Sequence, residues 1–230
     1  MAKKEKIREL FDDIAPVYDR LNHILSWNID KRWRKKAVRQ LDQANVRKML
    51  DIACGTGDFA ILASQSGIPE IHGIDISDNM LNIGNRKIAL LGMQEKIRLQ
   101  QGDCENIGFG DETFDAVTVA FGVRNFECPD KGLQEMNRVL KKNGKVVILE
   151  FSMPCSFPMK QLYSFYFQWI LPVVGGFLSK NKNAYRYLPA SVIKFPQGND
   201  FLKIMRECGF RDVTCKKLTF GIACIYIGTK

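Results

Sequence analysis

From Arg47 to Lys145 short apolar runs alternate with stretches whose apolar residues recur at helical spacing. The runs at 46–55, 71–77, 96–103, 114–122 and 144–152 predict five strands, because near-continuous apolar segments of this length suit a parallel sheet covered on both faces. The stretches at 59–67, 79–93 and 131–142 predict the covering helices. In the second of these Met80, Leu81 and Gly84 share a face with Ile88 and Leu91. Asn143-Gly144 offers a left-handed turn to end the third. Short connections and right-handed crossovers make this alternation a doubly wound, Rossmann-like α/β sheet.

Two polar, amphipathic stretches at 5–26 and 30–43 precede the block, parted by Trp27, Asn28 and Ile29. A segment rich in aromatics and prolines follows it, then a helix over 199–208 and two strands at 211–219 and 221–229, an antiparallel hairpin at the sheet edge. The expectation is a single domain over 1–230 with a mostly parallel sheet of seven strands. It divides into an N-terminal helical lid (1–45), a core that binds a cofactor (46–151), an apolar insertion covering the substrate (152–198), and a C-terminal helix and hairpin (199–230).

Composition narrows the class. With 230 residues, 46% of them apolar, the chain can bury roughly 70% of its unfolded surface, which excludes a disordered chain. Seven cysteines (54, 104, 128, 155, 208, 215 and 224) include no C-x-x-C pair, so neither a zinc site nor a disulfide framework is signalled and no metal is expected. The opening MAKKEKIREL lacks the apolar region of a secretory signal, and a cytoplasmic location is expected. The net charge of +9 is unevenly spread: residues 49–150 carry 10 basic and 15 acidic groups, whereas both flanks are basic. Such an excess suits nucleic acid, anionic lipid or an acidic substrate, and charge alone does not choose.

The candidate chemistry begins at Asp51, after which Gly55-Thr56-Gly57-Asp58 turns a strand into a helix. Glycines there allow close backbone approach to a ligand, and the helix start supplies free N–H groups. The segment 55–60 also satisfies the dinucleotide pattern G-x-G-x-x-A, with Asp75 at a fitting distance for a ribose, so two cofactor classes compete. A carboxylate at 51 sits badly beside a pyrophosphate and suits an ammonium. Gly102-Asp103-Cys104 ends the third strand, where a carboxylate can accept from an adenine amine. As a set, these positions resemble the class I S-adenosylmethionine methyltransferases. The resemblance implies that the glycine loop (Asp51, Gly55, Thr56, Gly57) holds the methionine end of S-adenosylmethionine, Asp75 the ribose, and Asp103 with Cys104 the adenine.

Further segments narrow the resemblance. Tyr18-Asp19-Arg20-Leu21-Asn22-His23-Ile24-Leu25-Ser26 running on to Trp33, and 138–144 through Leu149-Glu150-Phe151-Ser152, resemble the two signatures of the demethylmenaquinone and ubiquinone-precursor C-methyltransferase family. Phe121-Gly122-Val123-Arg124-Asn125 and 184–191, with Tyr185 and Tyr187, are similar to that family as well. Ala120 stands where the family commonly has serine, so a cofactor contact there is through backbone. Leu21, Asp30, Cys54 and Lys142-Asn143 also depart from the usual pattern.

The resemblance implies methyl transfer from S-adenosylmethionine to a ring carbon of a reduced polyprenyl quinone precursor, the naphthoquinol (menaquinone) branch being preferred over the benzoquinol one. The ring carbon must be made nucleophilic and a ring proton removed. Arg124 and Asn125 are the expected catalytic pair, since they follow the carboxyl end of the fourth strand, where open α/β sheets bind ligands. Arg124 is expected to stabilise a phenolate, and Asn125 to orient a hydroxyl or water. Tyr18 and Asp19 either close the site or cap the lid helix, and Tyr185 and Tyr187 are counted with the substrate-covering residues. For His72 and His23 packing or surface roles are favoured.

Residues 161–179 are uncharged, close to a spanning length, but Pro172, Gly175 and Gly176 argue for an apolar lobe admitting a prenyl tail instead. Lys31-Arg32-Trp33-Arg34-Lys35-Lys36 suggests peripheral binding to an anionic membrane surface. No nucleic-acid partner is expected, because the acidic middle carries the sheet and no basic-aromatic RNA module is present. A methyltransferase acting on RNA or protein is the first rival, a nicotinamide-dependent oxidoreductase and a nucleotide-binding module without catalysis are the others, and homo-oligomerisation stays open.

Overall fold

The computed structural model describes residues 3–41, 45–170 and 182–230. Seven strands form one sheet: β1 (Lys48–Ile52), β2 (Glu70–Asp75), β3 (Ile97–Gln101), β4 (Phe114–Ala120), β5 (Leu140–Phe151), β6 (Arg211–Leu218) and β7 (Ala223–Thr229). Their order is β3-β2-β1-β4-β5-β7-β6. The first five run parallel, and β7 pairs antiparallel with both β5 and β6. The chain order reverses beside β1 and β4, so their carboxyl ends define the crevice where a doubly wound sheet binds ligands.

Helices α1 (Lys3–Ile14), α2 (Tyr18–Leu25) and α3 (Ile29–Val38) precede the sheet; α4 (Asp58–Gln65), α5 (Asp78–Leu90) and α6 (Pro129–Val139) lie within it; α7 (Met159–Phe165), α8 (Lys182–Lys194) and α9 (Asn199–Glu207) follow β5. One face of the sheet packs Leu133, Met136, Phe201 and Met205 against Val117 and Ile148. The other packs Trp33, Ala37, Phe59 and Ile88 against Met49 and Val147. A third cluster joins Ile14 and Leu21 of the N-terminal helices to Tyr163, Phe167 and Val192 after β5, so these two segments pack against each other.

Local chemistry explains the boundaries. Ser77 caps α5, its hydroxyl accepting from the Met80 amide at 3.2 Å and donating to Asp12 Oδ1 of α1 at 2.6 Å. Pro16 breaks the 5–26 stretch into α1, a 3₁₀ turn and α2. The helix expected over 131–142 stops at Val139, and Leu140 already pairs with Phe114 as the start of β5. Burial decides this: Val139 and Leu140 are wholly enclosed, and Thr113 donates its amide to the Val139 carbonyl at 2.8 Å. Asn143 adopts the expected left-handed conformation, φ 62°, but within an irregular stretch of that strand. Of the uncharged run at 161–179, only residues up to 170 lie within the described residues. No helix among the described residues is long and apolar enough to cross a membrane.

Candidate active site

Two cavities adjoin at the carboxyl ends of β1, β2 and β4, and Phe11, Tyr18 and Phe121 line both. The smaller, about 70 Å³, is bounded by Ala53, Gly55, Asp75, Cys104, Ala120 and Asn125. The larger, about 340 Å³, is walled by Leu10, Ile14, Met159, Leu162, Phe167 and Ile222, with Arg124, Tyr187, Arg34 and Asp30 as polar points. Its size and mostly apolar lining are those of a small-molecule cleft. Ala53 and Phe121 both have positive φ, 51° and 61°. Non-glycine residues rarely adopt this conformation, and strain of this kind gathers at functional sites.

Around the smaller cavity the acids occupy distinct environments. Asp75 is held by backbone, Oδ2 accepting from the Gly55 amide at 2.8 Å and Oδ1 from the Ser77 amide at 2.9 Å. Burial pushes its pKa up despite these donors. Asp51 is buried and lines neither cavity; the Thr118 hydroxyl donates to Oδ1 at 2.7 Å and Oδ2 has no hydrogen-bond partner. Burial pushes its pKa up to about 7, against the pull of Thr118 and of the Arg34 charge. A buried carboxylate with an unused oxygen suits the ammonium of S-adenosylmethionine, and the Asp75 carboxylate suits its ribose hydroxyls. On these grounds the residues fit that cofactor.

At the adenine end Asp103 is already engaged. Lys4 of α1 donates to Asp103 Oδ2 at 2.6 Å and lies 3.7 Å from Glu105, while the Lys3 ammonium donates to the Phe126 carbonyl. Lys4 holds the Asp103 carboxyl below its ordinary range, against burial. The smallness of this cavity follows from α1 lying across it through Lys4, Ile7 and Phe11. Cys104 lines the cavity, and burial pushes its thiol up.

Other expected residues fall elsewhere. Thr56 lines neither cavity; its hydroxyl donates to Asp19 Oδ1 at 2.6 Å. Asp19 Oδ2 meets Lys87 at 2.9 Å, and Lys87 also pairs with Asp58. Asp19 therefore ties α2 to the glycine loop, and Thr56 is its partner there. Gly57, with φ 77°, starts α4. His23 stands between Asp30, 3.0 Å away, and Asp58, 3.8 Å away, in the same network. His72 meets Glu70 at 2.9 Å and packs edge-on against Phe114.

In the larger cavity Tyr18 is half-buried, and desolvation pushes its hydroxyl pKa up against the fields of Arg34 and Arg124. Arg124 is fastened on its inner side: Nη1 meets Glu150 Oε1 at 2.7 Å and also donates to the Phe121 carbonyl, and Nε donates to Ser191 Oγ at 3.3 Å. Glu150 is fully buried and accepts in addition from the Phe151 amide at 2.9 Å. The Tyr187 hydroxyl donates to Asn125 Oδ1 at 3.0 Å, which leaves the Asn125 amide nitrogen for other partners. The side chain of Tyr185 lies outside the described residues.

Within the segment 31–36, two side chains turn inward. Trp33 is buried and donates from Nε1 to Thr219 Oγ1 at 2.8 Å, and Arg34 is buried against Asp30 at 2.8 Å. Only Lys31, Arg32, Lys35 and Lys36 face outward. Three functional groups escaped the sequence reading. The Asp30–Arg34 pair had a visible signal in its i,i+4 spacing, and Glu150 had one as a lone acid ending an apolar strand. Lys4 had none beyond belonging to a basic terminus.

A model of the ubiE/COQ5 methyltransferase family matches residues 1–230. A demethylmenaquinone methyltransferase from Bacteroides fragilis is 48% identical over 99% of this chain and 94% of its own length. A ubiquinone/menaquinone biosynthesis C-methyltransferase UbiE from Geotalea daltonii is 47% identical over 99% of this chain and 97% of its own. Among solved structures, an S-adenosylmethionine-dependent methyltransferase from Thermotoga maritima superposes with a TM-score of 0.68 at 18% identity, covering 97% of this chain and 99% of that one.

Proposed function

The chain belongs to the ubiE/COQ5 methyltransferase family and is an S-adenosylmethionine-dependent methyltransferase of quinone biosynthesis; from this premise we propose that it methylates a ring carbon of polyprenylated demethylmenaquinol. The observation that carries the reading is the pair of cavities meeting at Phe11, Tyr18 and Phe121: a small one edged by acids and the glycine loop, and a large apolar one with polar groups at one end. A quinol head fits the polar end and a prenyl tail the apolar remainder.

When bound, S-adenosylmethionine supplies a methyl group made electrophilic by sulfonium. Arg124, fixed from behind by Glu150, turns positive charge toward the cavity. A quinol hydroxyl beside it loses its proton more readily, and the resulting phenolate concentrates electron density on the adjacent ring carbon. Asn125, its carbonyl occupied by Tyr187, offers its amide to orient a hydroxyl or the water that accepts the ring proton. Tyr18 forms the shared wall that sets head against cofactor, and Asp19 holds that wall on the glycine loop.

The exposed rim supports collection of the substrate from a bilayer. Trp27 (83% exposed) and Leu162 (61%) border the larger cavity, and Trp169 is 67% exposed on the same insertion. Together with the four outward cations of α3, they favour peripheral attachment to an anionic leaflet from the cytoplasmic side. A benzoquinol precursor of ubiquinone is the alternative substrate, since relatives carry both kinds of name. Turnover of demethylated naphthoquinols with and without a prenyl tail tests the reading. One methyl gained by each, with kcat/KM at least about tenfold higher for the tailed one, is expected; equal values would remove the role given to the larger cavity.

A further inference from the structure

A phenolate forms only if some group accepts the hydroxyl proton, and Arg124, a cation held on Glu150, accepts none. Among the described residues that line the larger cavity, Asp30 is the only carboxylate, and no histidine, lysine or cysteine lines it. Glu150 is fully buried and lines neither cavity. In the smaller cavity Asp75 accepts from the Gly55 and Ser77 amides, Glu105 accepts from those of Glu127 and Cys128, and Glu127 is exposed. Asp30 is set differently. Its Oδ2 is held at 2.8 Å by Arg34 Nη1 and at 3.0 Å by the His23 ring, while Oδ1 receives the Ser26 hydroxyl at 2.6 Å. Ser26 is half-buried and lines the same cavity. Arg34 lies 5.1 Å from the Phe121 ring centroid and Arg124 5.5 Å from that of Phe151, and the two rings stack at 4.5 Å. The Asp30–Arg34 and Glu150–Arg124 pairs therefore stand about one aromatic stack, and both cations act on the Tyr18 hydroxyl.

We propose, on the reading that a quinol is methylated in this cavity, that Asp30 is the base that takes the quinol hydroxyl proton, with Ser26 as its relay. The quinol O–H bond breaks and its proton joins Ser26 Oγ as the Ser26 hydroxyl proton passes to Asp30 Oδ1. The electron pair left on the quinol oxygen faces Arg124 and feeds the ring carbon that bonds the methyl. The hydrogen on that carbon then leaves as a proton to the water at Asn125, which returns a proton to the quinol oxygen and restores the hydroxyl. Asp30 gives its own proton to bulk water as product departs, so one proton is released in all. Arg34 and His23 stay on Oδ2 throughout, which keeps the carboxyl in place in both protonation states. Beyond His23 the charges that face this pair are Asp58, Asp19 and Lys87, themselves joined to one another. Asp30 departs from the usual family pattern, so this base belongs to this chain's own residues.

Anaerobic initial rates of the full chain with S-adenosylmethionine and reduced demethylmenaquinone, measured from pH about 7 to about 9 for the wild type and Asp30→Asn, test this. At the lower pH Asp30→Asn is expected to lower kcat by about 100-fold or more, with KM for S-adenosylmethionine unchanged. As pH rises toward the ordinary phenol pKa of about 10, solvent itself removes the hydroxyl proton, so kcat of the variant is expected to climb about tenfold per pH unit while the wild type stays nearly flat. A merely structural loss would be the same at every pH. Near wild-type kcat in Asp30→Asn, or a deficit that does not shrink with pH, would overturn the assignment. Should Asp30→Asn fail to fold because it strands the Arg34 charge, Asp30→Asn with Arg34→Met removes that charge and is read by the same slope. Wild type that methylates no quinol at any pH would instead remove the reading on which the assignment rests.

Discussion

The pairing of Arg124 with Glu150 separates holding the fold from doing the chemistry. Arg124→Met leaves the wholly buried Glu150 carboxylate with only backbone donors, the amides of Arg124 at 3.2 Å and Phe151 at 2.9 Å. Breaking a buried pair costs about 3–5 kcal/mol, and the two remaining donors place this case near 3 kcal/mol. In a chain of this length that is a fall in Tm of about 6–12 °C. Replacing both residues by methionine removes the stranded charge, so Arg124→Met with Glu150→Met is expected to recover most of the stability. Turnover is not expected to recover. Loss of the cation facing the developing phenolate lowers kcat by about 100-fold or more in both the single and the double variant. Thermal melts and initial rates on the same preparations measure the two effects. A double variant with near wild-type kcat would refute a chemical role for Arg124, and strictly additive losses in Tm would refute the coupling.

The pKa of Asp51 is raised from 3.8 to about 7 on folding, so the folded chain holds that proton more tightly. Its contribution to stability is fully present below pH about 4 and is lost as pH rises to about 7, an amount of up to about 4 kcal/mol. Urea unfolding across this range is expected to show that slope in the wild type and a flatter one in Asp51→Asn. Affinity for S-adenosylhomocysteine is expected to rise toward pH about 7 as Asp51 ionises and to fall at higher pH as the ligand ammonium deprotonates; stopped-flow or calorimetric titration checks it. Lys4→Gln frees Asp103 and is expected to speed cofactor association several-fold while changing stability by less than about 1 kcal/mol, because the pair is about one-third exposed on each side. Gly122→Ala would set a Cβ 2.6 Å from that of Ala53 and 3.1 Å from Val119 Cγ1. A loss of about 1–3 kcal/mol in unfolding experiments, with weaker cofactor binding, is expected. Sedimentation with anionic vesicles at low salt is expected to capture the protein, and Trp27→Ser with Trp169→Ser to reduce capture.

The sheet was readable because its central strands β1, β4 and β5 carry apolar runs buried on both faces, and Asp51, Asp75 and Asp103 follow the carboxyl ends of β1, β2 and β3 in order. Boundaries set by tertiary contact were not readable. Nothing local in Val139-Leu140-Lys141 announces that Leu140 pairs with Phe114, since the same residues continue a helical period. The site was legible where backbone geometry dictates residue type, as at Gly55 and Asp75. It was illegible where side chains far apart in sequence meet: Lys4 reaches Asp103 across 99 positions, and Trp33 reaches Thr219 across 186. Trp33 among cations reads as a surface residue because the cations are visible in sequence, whereas the pocket formed by Phe121, Phe151 and Thr219 is not.

The most direct test is mass spectrometry of products after incubation with S-adenosylmethionine and, in parallel, reduced demethylmenaquinone, the reduced benzoquinol precursor of ubiquinone, and bulk RNA. One methyl added to the carbon skeleton of the naphthoquinol is the predicted result, and methylation of the benzoquinol as well would extend the substrate range to both branches. Methylated RNA with both quinols unchanged would contradict the account.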